Sequence, residues 1–268
     1  MSKNLFIVPH DFTSVGDAAL NYALHIGNYV ETELVLLHVI HSKEEKPTAS
    51  RKLDELIDAL TLPEGVTISK LILEGSIFEQ IGRAASTNKA QLIIMGTHGM
   101  KGFQKLFGSN AMKVITNAET PFLIVQKDTP LTPVKKIVVP IDLSKESLQI
   151  ISVAGEISEI LDAEIHVIGE KESDEFLSHQ IRNRVLYARK QYDDRKIECK
   201  VELIKSGGSY AKKILAYTEE NDIGMIAFAY HSESFLPQFE TFAQSLITNS
   251  RKIPCMVLNS KQASSLYF

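Results

Sequence analysis

Four of the chain's fourteen glycines, Gly96, Gly99, Gly102 and Gly108, fall in one short stretch that ends Gly108-Ser109-Asn110. Glycine lets a backbone approach a ligand closely and adopt positive φ. Residues 90–95, before the stretch, form an apolar run that reads as a buried strand; residues 109–117, after it, read as a helix. A strand, a glycine-rich loop and a helix N-terminus together make an anion site, because exposed N–H groups and the helix dipole both favour phosphate. One such glycine alone would be read as a turn; the cluster reads as a phosphate cradle. His98 lies inside it and offers a ring or backbone donor. Lys101 and Lys105 follow and can neutralise a triphosphate, although loop lysines are common without any ligand.

The spacing separates this loop from two familiar phosphate binders. A dinucleotide fingerprint needs Gly-x-Gly-x-x-Gly after the first strand, and a P-loop needs Gly-Lys-Ser/Thr after four spacer residues. Here the order is Gly96-x-x-Gly99-x-x-Gly102, late in its domain, and Gly108 is followed by Ser109. The pattern resembles the universal stress protein family, whose loop reads Gly-x-x-Gly, a spacer, then Gly-Ser/Thr. Gly96, Gly99, Gly108 and Ser109 match it, with eight residues between Gly99 and Gly108, one fewer than the usual spacer.

A repeat sets the domain plan. Leu5-Phe6-Ile7-Val8-Pro9-His10-Asp11-Phe12-Thr13 recurs as Lys136-Ile137-Val138-Val139-Pro140-Ile141-Asp142-Leu143-Ser144. Ile115-Thr116-Asn117 and the strand after it recur at Ile247-Thr248-Asn249. Two homologous domains follow, 1–128 and 134–268, joined by a short stiff linker containing Pro130 and Pro133. Apolar runs at 5–9, 33–40, 66–73, 90–95 and 121–125 alternate with amphipathic segments at 14–29, around 53–60, and at 77–87. The second half repeats the order, with strands near 137–141, 164–168, 197–204, 225–229 and 255–258 and a longer helix over 174–192. Strands buried on both faces and linked by helices predict an α/β fold: two tandem doubly wound, parallel five-stranded sheets, Rossmann-like. The resemblance covers nearly the whole chain in the tandem form, and implies the sheet of the adenine nucleotide alpha hydrolase-like group. It also implies an intramolecular pseudo-dimer in which the last strands of the two domains pair, and it leaves room for a homodimer.

Such sheets bind ligands beyond the carboxyl ends of their strands. Asp11 follows the first strand and can accept from a base amino group or a ribose hydroxyl; it can also make an Asx turn or a cap bond to the next helix, and the two roles can coexist. Val39 ends the second strand and can pack on a purine, or be ordinary core. The resemblance implies an adenine nucleotide contacted by Pro9, His10, Asp11, Val39, Met95, Gly96, His98, Gly99, Gly108, Ser109 and Asn110. Asp11 and Val39 would meet base and ribose, while Gly99, Gly108, Ser109 and Asn110 would hold phosphates. ATP is the expected ligand, with Mg²⁺ entering as the phosphates' counter-ion.

No catalytic constellation appears: neither Gly-x-Ser-x-Gly nor His-Glu-x-x-His is present. The His-x-Gly-His loop of adenylyl-transferring relatives is absent after strand one, where Pro9-His10-Asp11-Phe12 stands. His10, His38, His41 and His98 fall near strand ends without a ligand motif, so no metal site is expected. The expectation is therefore a nucleotide-binding stress or signalling module. A slow ATPase and an interaction protein without nucleotide are the alternatives. A net charge of −4 argues against nucleic acid as a partner. No membrane-spanning run and no signal peptide are read, which points to the cytoplasm. Cys199 and Cys255 read as small buried hydrophobes. In the second domain Gly96, Gly99 and Gly108 are matched by Ala229, Ser232 and Glu240, and Val39 by Glu170. That loop is expected to have lost the nucleotide. Gly207-Gly208-Ser209 remains there as a turn or a minor anion site.

Overall fold

Val, Ile and Leu dominate the strands because helices cover both faces of each sheet. The computed structural model describes residues 4–97, 108–230 and 237–260, except the side chains of 108–110 and 237–240. It divides into two units, Met1–Leu131 and Thr132–Phe268. The first unit runs β1 (Asn4–Pro9), α1 (Ser14–Ile26), β2 (Thr32–Ile40), α2 (Lys46–Asp58), β3 (Val66–Glu74), α3 (Ile77–Thr87), β4 (Leu92–Thr97), α4 (Gly108–Thr116) and β5 (Phe122–Gln126). Its strands lie in the order β3-β2-β1-β4-β5, all parallel. The order reverses between β1 and β4, the switch point at whose carboxyl ends open α/β sheets form a crevice.

The second unit repeats this plan with β6 (Lys136–Ile141), α5 (Ile150–Leu161), β7 (Glu164–Glu170), α6 (Glu175–Asp194), β8 (Cys199–Ile204), α7 (Tyr210–Glu220), β9 (Met225–Tyr230), α8 (Pro237–Ile247) and β10 (Cys255–Asn259). Its parallel order is β10-β9-β6-β7-β8. In α6 the expected core face is present: Ile181, Val185, Ala188 and Tyr192 are buried. Cys255 is buried and Cys199 half-buried, both as free thiols. Among the described residues no helix is long and apolar enough to cross a membrane.

Local chemistry sets the helix starts. Thr13 caps α1 by accepting from the Val15 N–H, and Ser76 caps α3 by accepting from the Phe78 N–H. Two expected boundaries move. Helix α1 ends at Ile26 rather than near residue 29, because the Asn28 and Tyr29 N–H groups fold back onto the carbonyls of His25 and Ile26. Strand β4 runs from Leu92 to Thr97, two residues later than the apolar run suggests. Lys89 takes positive φ, 55°, and the Ala90 N–H returns to Ala85 O, so the chain is still turning there. At the other end Gly96 and Thr97 pair with Val125 and Gln126.

Gly96 therefore belongs to the sheet and not to the loop. Its need for glycine is a matter of packing: a Cβ there would stand 2.1 Å from the carbonyl oxygen of Val15, in the first turn of α1. The second unit has Ala229 at this position. There the segment matching Val15 is a 3₁₀ turn, Glu146–Leu148, and α5 begins only at Ile150, which leaves room for a methyl group.

Candidate functional site

The C-terminal ends of β1, β2 and β4 in the first unit enclose a cavity of about 120 Å³. Pro9, His10 and Asp11 reach it from β1 and the turn after it, Val39 from β2, and Met95 and Gly96 from β4. The remaining walls are Val15 and Gly16 from α1, Leu37 and His38 from β2, Ile77 and Ile81 from α3, and Ala111 and Val114 from α4. Six of the residues singled out in the sequence thus share one apolar hollow. His98 and Gly99 lie outside the described residues. Gly108, Ser109 and Asn110 form the first turn of α4, and Ala111, the next residue, lines the cavity. A helix begins its backbone with unpaired N–H groups and the positive end of its dipole. Leu37, Val39 and Met95 make much of the strand side apolar, and the first turn of α4 stands beside the hollow through Ala111.

Asp11 closes an Asx turn onto Thr13, the residue that caps α1. Its Oδ1 accepts from the Thr13 N–H at 3.1 Å and from the Thr13 hydroxyl at 2.6 Å. Among the described residues Oδ2 has no hydrogen-bond partner. One oxygen of this exposed carboxylate shapes the turn while the other can receive a ligand hydroxyl or amino group. Val39 is half-buried, so its methyl groups wall the cavity instead of being lost in the core.

His10 is buried, at 4 % exposure, and its bonds fix its tautomer. The Phe12 N–H donates to Nδ1 at 3.1 Å, so the proton of the neutral ring is on Nε2, which faces Asp17 Oδ1 at 3.2 Å. Phe12 takes positive φ, 61°, an uncommon conformation for a bulky residue. The His10 acceptor and the packing of Phe12 on His38, centroids 4.4 Å apart, hold it there. Gly16 leaves space for the imidazole, since a Cβ there would lie 2.9 Å from His10 Cδ2.

Burial pulls His10 below the usual imidazole value, against the opposing pull of Asp17. His166 in β7, bonded through Nδ1 to the Tyr217 hydroxyl at 2.8 Å, is lowered mainly by burial as well. A group that resists protonation only when folded binds its proton first in the unfolded chain. Stability is therefore full above pH about 6.5, the free imidazole value, and falls as pH drops through the folded values. Thermal unfolding between pH 7.5 and 5 should show this decline, and His10→Gln should flatten part of it. An unchanged slope in that variant would remove His10 from the account.

Two wall features were not read from the sequence. Ile77 lines the cavity because it is the first residue of α3, directly after the Ser76 cap; the amphipathic pattern marked the helix but not its aim. His38 was noted only as a strand-end histidine. Its ring Nδ1 lies 2.7 Å from the His10 carbonyl, sealing the backbone at the end of β1. No sequence pattern signals a ring bonded to a carbonyl on the neighbouring strand. Among the described residues no group of three or more His, Cys, Asp or Glu is placed to hold a metal ion.

Two units of the same parallel α/β plan follow one another in the chain, and comparison with known proteins gives its family. The model of the universal stress protein family matches residues 6–126 and again 133–259. The chain belongs to that family, as two consecutive copies. It is similar to a universal stress protein of Methanocaldococcus jannaschii, 30% identical over 148 residues, covering 47% of this chain and 85% of that one. In structure it is similar to a universal stress protein from Archaeoglobus fulgidus, with a TM-score of 0.76 and 21% identity over 97% of this chain and 100% of that one. It is also similar to a protein of unknown function from Pseudomonas aeruginosa, with a TM-score of 0.65 and 17% identity over 99% of this chain and 96% of that one.

Proposed function

We propose that the chain binds one adenine nucleotide, ATP, in its first unit and acts as a stress-response or signalling module. The observation that carries this reading is the convergence of Pro9, His10, Asp11, Val39, Met95 and Gly96 on one cavity at the switch point of the sheet. The apolar faces of Val39 and Met95 suit a purine. Asp11 Oδ2 suits a ribose hydroxyl or the base amino group. The start of α4, with the glycines that precede it, suits phosphates. Gly99, Ser109 and Asn110 are assigned to the phosphates on the family pattern. Titration calorimetry with ATP, with and without Mg²⁺, tests the reading. Gly99→Glu should abolish the heat while circular dichroism stays native, and unchanged affinity in a folded variant would remove that loop from the site.

Binding without fast hydrolysis is the expected behaviour. Oriented N–H groups can hold phosphate without activating water. Among the described cavity residues His10 is already engaged by Phe12 and Asp17 and is held neutral by burial. Turnover should stay far below an ordinary enzyme rate of about 10 per second. Phosphate release at that rate, lost in Gly99→Glu and so intrinsic to the protein, would instead make the chain an ATPase.

A further inference from the structure

The second unit satisfies its strand ends in a different way, and the difference leaves a cavity of another character. Pro9 pairs with Leu37 as Pro140 pairs with Ile168, so His38 corresponds to Gly169 and Val39 to Glu170. Ser76 and Ser209 cap equivalent helices, so Ile77 corresponds to Tyr210. In the first unit the His38 ring meets the His10 carbonyl. The second unit, with glycine in place of that histidine, uses Tyr210. Its hydroxyl lies 2.8 Å from Ile168 O and 3.2 Å from Ile141 O, the carbonyl equivalent to that of His10. Glu170 is turned toward the Gly207 N–H at 3.0 Å and Lys213 Nζ at 2.6 Å. The Gly207 turn is thus occupied by the chain's own carboxylate. Where the first unit offers a place for a base, the second inserts a tyrosine.

A cavity of about 560 Å³ remains beside this tyrosine, over β9 and α8. Its size falls within the roughly 300–1,000 Å³ of small-molecule sites. Four of its described lining residues, Tyr210, Phe228, Tyr230 and Phe242, are aromatic. Tyr210 and Phe242 stack with ring planes 15° apart and centroids separated by 5.8 Å, and Phe242 meets Phe228 edge-on at 5.9 Å. Tyr210, Tyr230 and Phe242 are only half-buried, so ring surface faces the hollow. Asp142 is the single charged residue among the described lining residues, and neither lysine nor arginine is among them. A phosphate there would meet the Asp142 carboxylate, and the sequence before α8 has none of the glycines that precede α4. Phe242 stands at the position of Asn110, one of the first-unit residues assigned to phosphate.

We propose that the second unit binds a neutral, planar aromatic molecule against the Tyr210–Phe242 pair, a ligand class distinct from the nucleotide assigned to the first unit. The probe is 2-naphthol, uncharged at neutral pH, and its binding is followed by equilibrium dialysis. It is titrated into the full chain with and without saturating ATP. One probe should bind per chain in both arms. Phe242→Ala should weaken it about tenfold through loss of the stacking face. Thr241→Trp, at an exposed helix position on the rim, should block it while the fold is preserved, and 2-naphthyl phosphate should bind at least about tenfold more weakly. Absence of saturable binding, equal binding of the phosphate ester, or binding unaffected by Thr241→Trp would each overturn the proposal. Displacement by ATP would place the probe in the first unit and overturn it as well.

Discussion

Val39→Glu should reduce ATP affinity about a hundredfold, equivalent to about 2.7 kcal/mol, while leaving the fold intact. The second unit already carries glutamate at this position, and its structure shows what glutamate needs there. Glu170 is held by the Gly207 N–H and by Lys213. The corresponding residues of the first unit are Glu74 and Gln80, so a new carboxylate would gain a like charge and no cation. A base entering the cavity would have to desolvate it. Val39 is half-buried at the edge of the hollow, so the unliganded protein can turn the longer side chain toward water at a cost of about 1 kcal/mol. Calorimetry measures the affinity and circular dichroism the fold. Native structure with undiminished affinity would show that Val39 does not face the base.

Gly96→Ala should destabilise the first unit by about 3 kcal/mol, toward the upper end of overpacking effects. The added methyl would meet the Val15 carbonyl oxygen at 2.1 Å, and that oxygen is fixed in the first turn of α1. Backbone cannot yield as a flexible side-chain tip can. Relief would require α1 to lift away from β4, carrying with it Val15 and Gly16 of the cavity wall. The reverse change in the second unit, Ala229→Gly, should cost only about 1 kcal/mol, the ordinary penalty for glycine within a strand. Denaturant unfolding of both variants separates the two cases. Equal, small losses would mean that α1 accommodates the methyl group and that close approach of α1 is not what demands glycine.

The contrast at Gly96 shows what the sequence could express. Apolar runs placed the strands because burial on both faces leaves an unbroken signature. The caps Thr13, Ser76 and Asp174 start their helices by local chemistry within a few residues of where the amphipathic segments begin. Pro9, Asp11, Val39 and Met95 were legible as residues that gather at one cavity, because strand ends in this topology converge. Gly96 was legible as a conspicuous glycine, but its reason was not, because the atom it avoids belongs to a helix far away in sequence. The end of α1 and the start of β4 depended on returning N–H groups and a positive φ at Lys89, which hydrophobic periodicity does not encode. Tyr210 was hidden for a similar reason. A tyrosine opening a helix looks ordinary until the glycine at position 169 leaves a carbonyl on another strand for its hydroxyl to reach. Composition and spacing therefore identified which residues gather, while the mutual satisfaction of backbone groups between distant elements required coordinates.

The central claim, one nucleotide per chain held in the first unit, is tested most directly by titrating ATP into nucleotide-free protein and its Val39→Glu and Thr241→Trp variants. The account predicts a stoichiometry of one for the wild-type chain, loss of that site in Val39→Glu, and an unchanged isotherm in Thr241→Trp. Two equivalent sites, or a single site that survives Val39→Glu and disappears in Thr241→Trp, would contradict it.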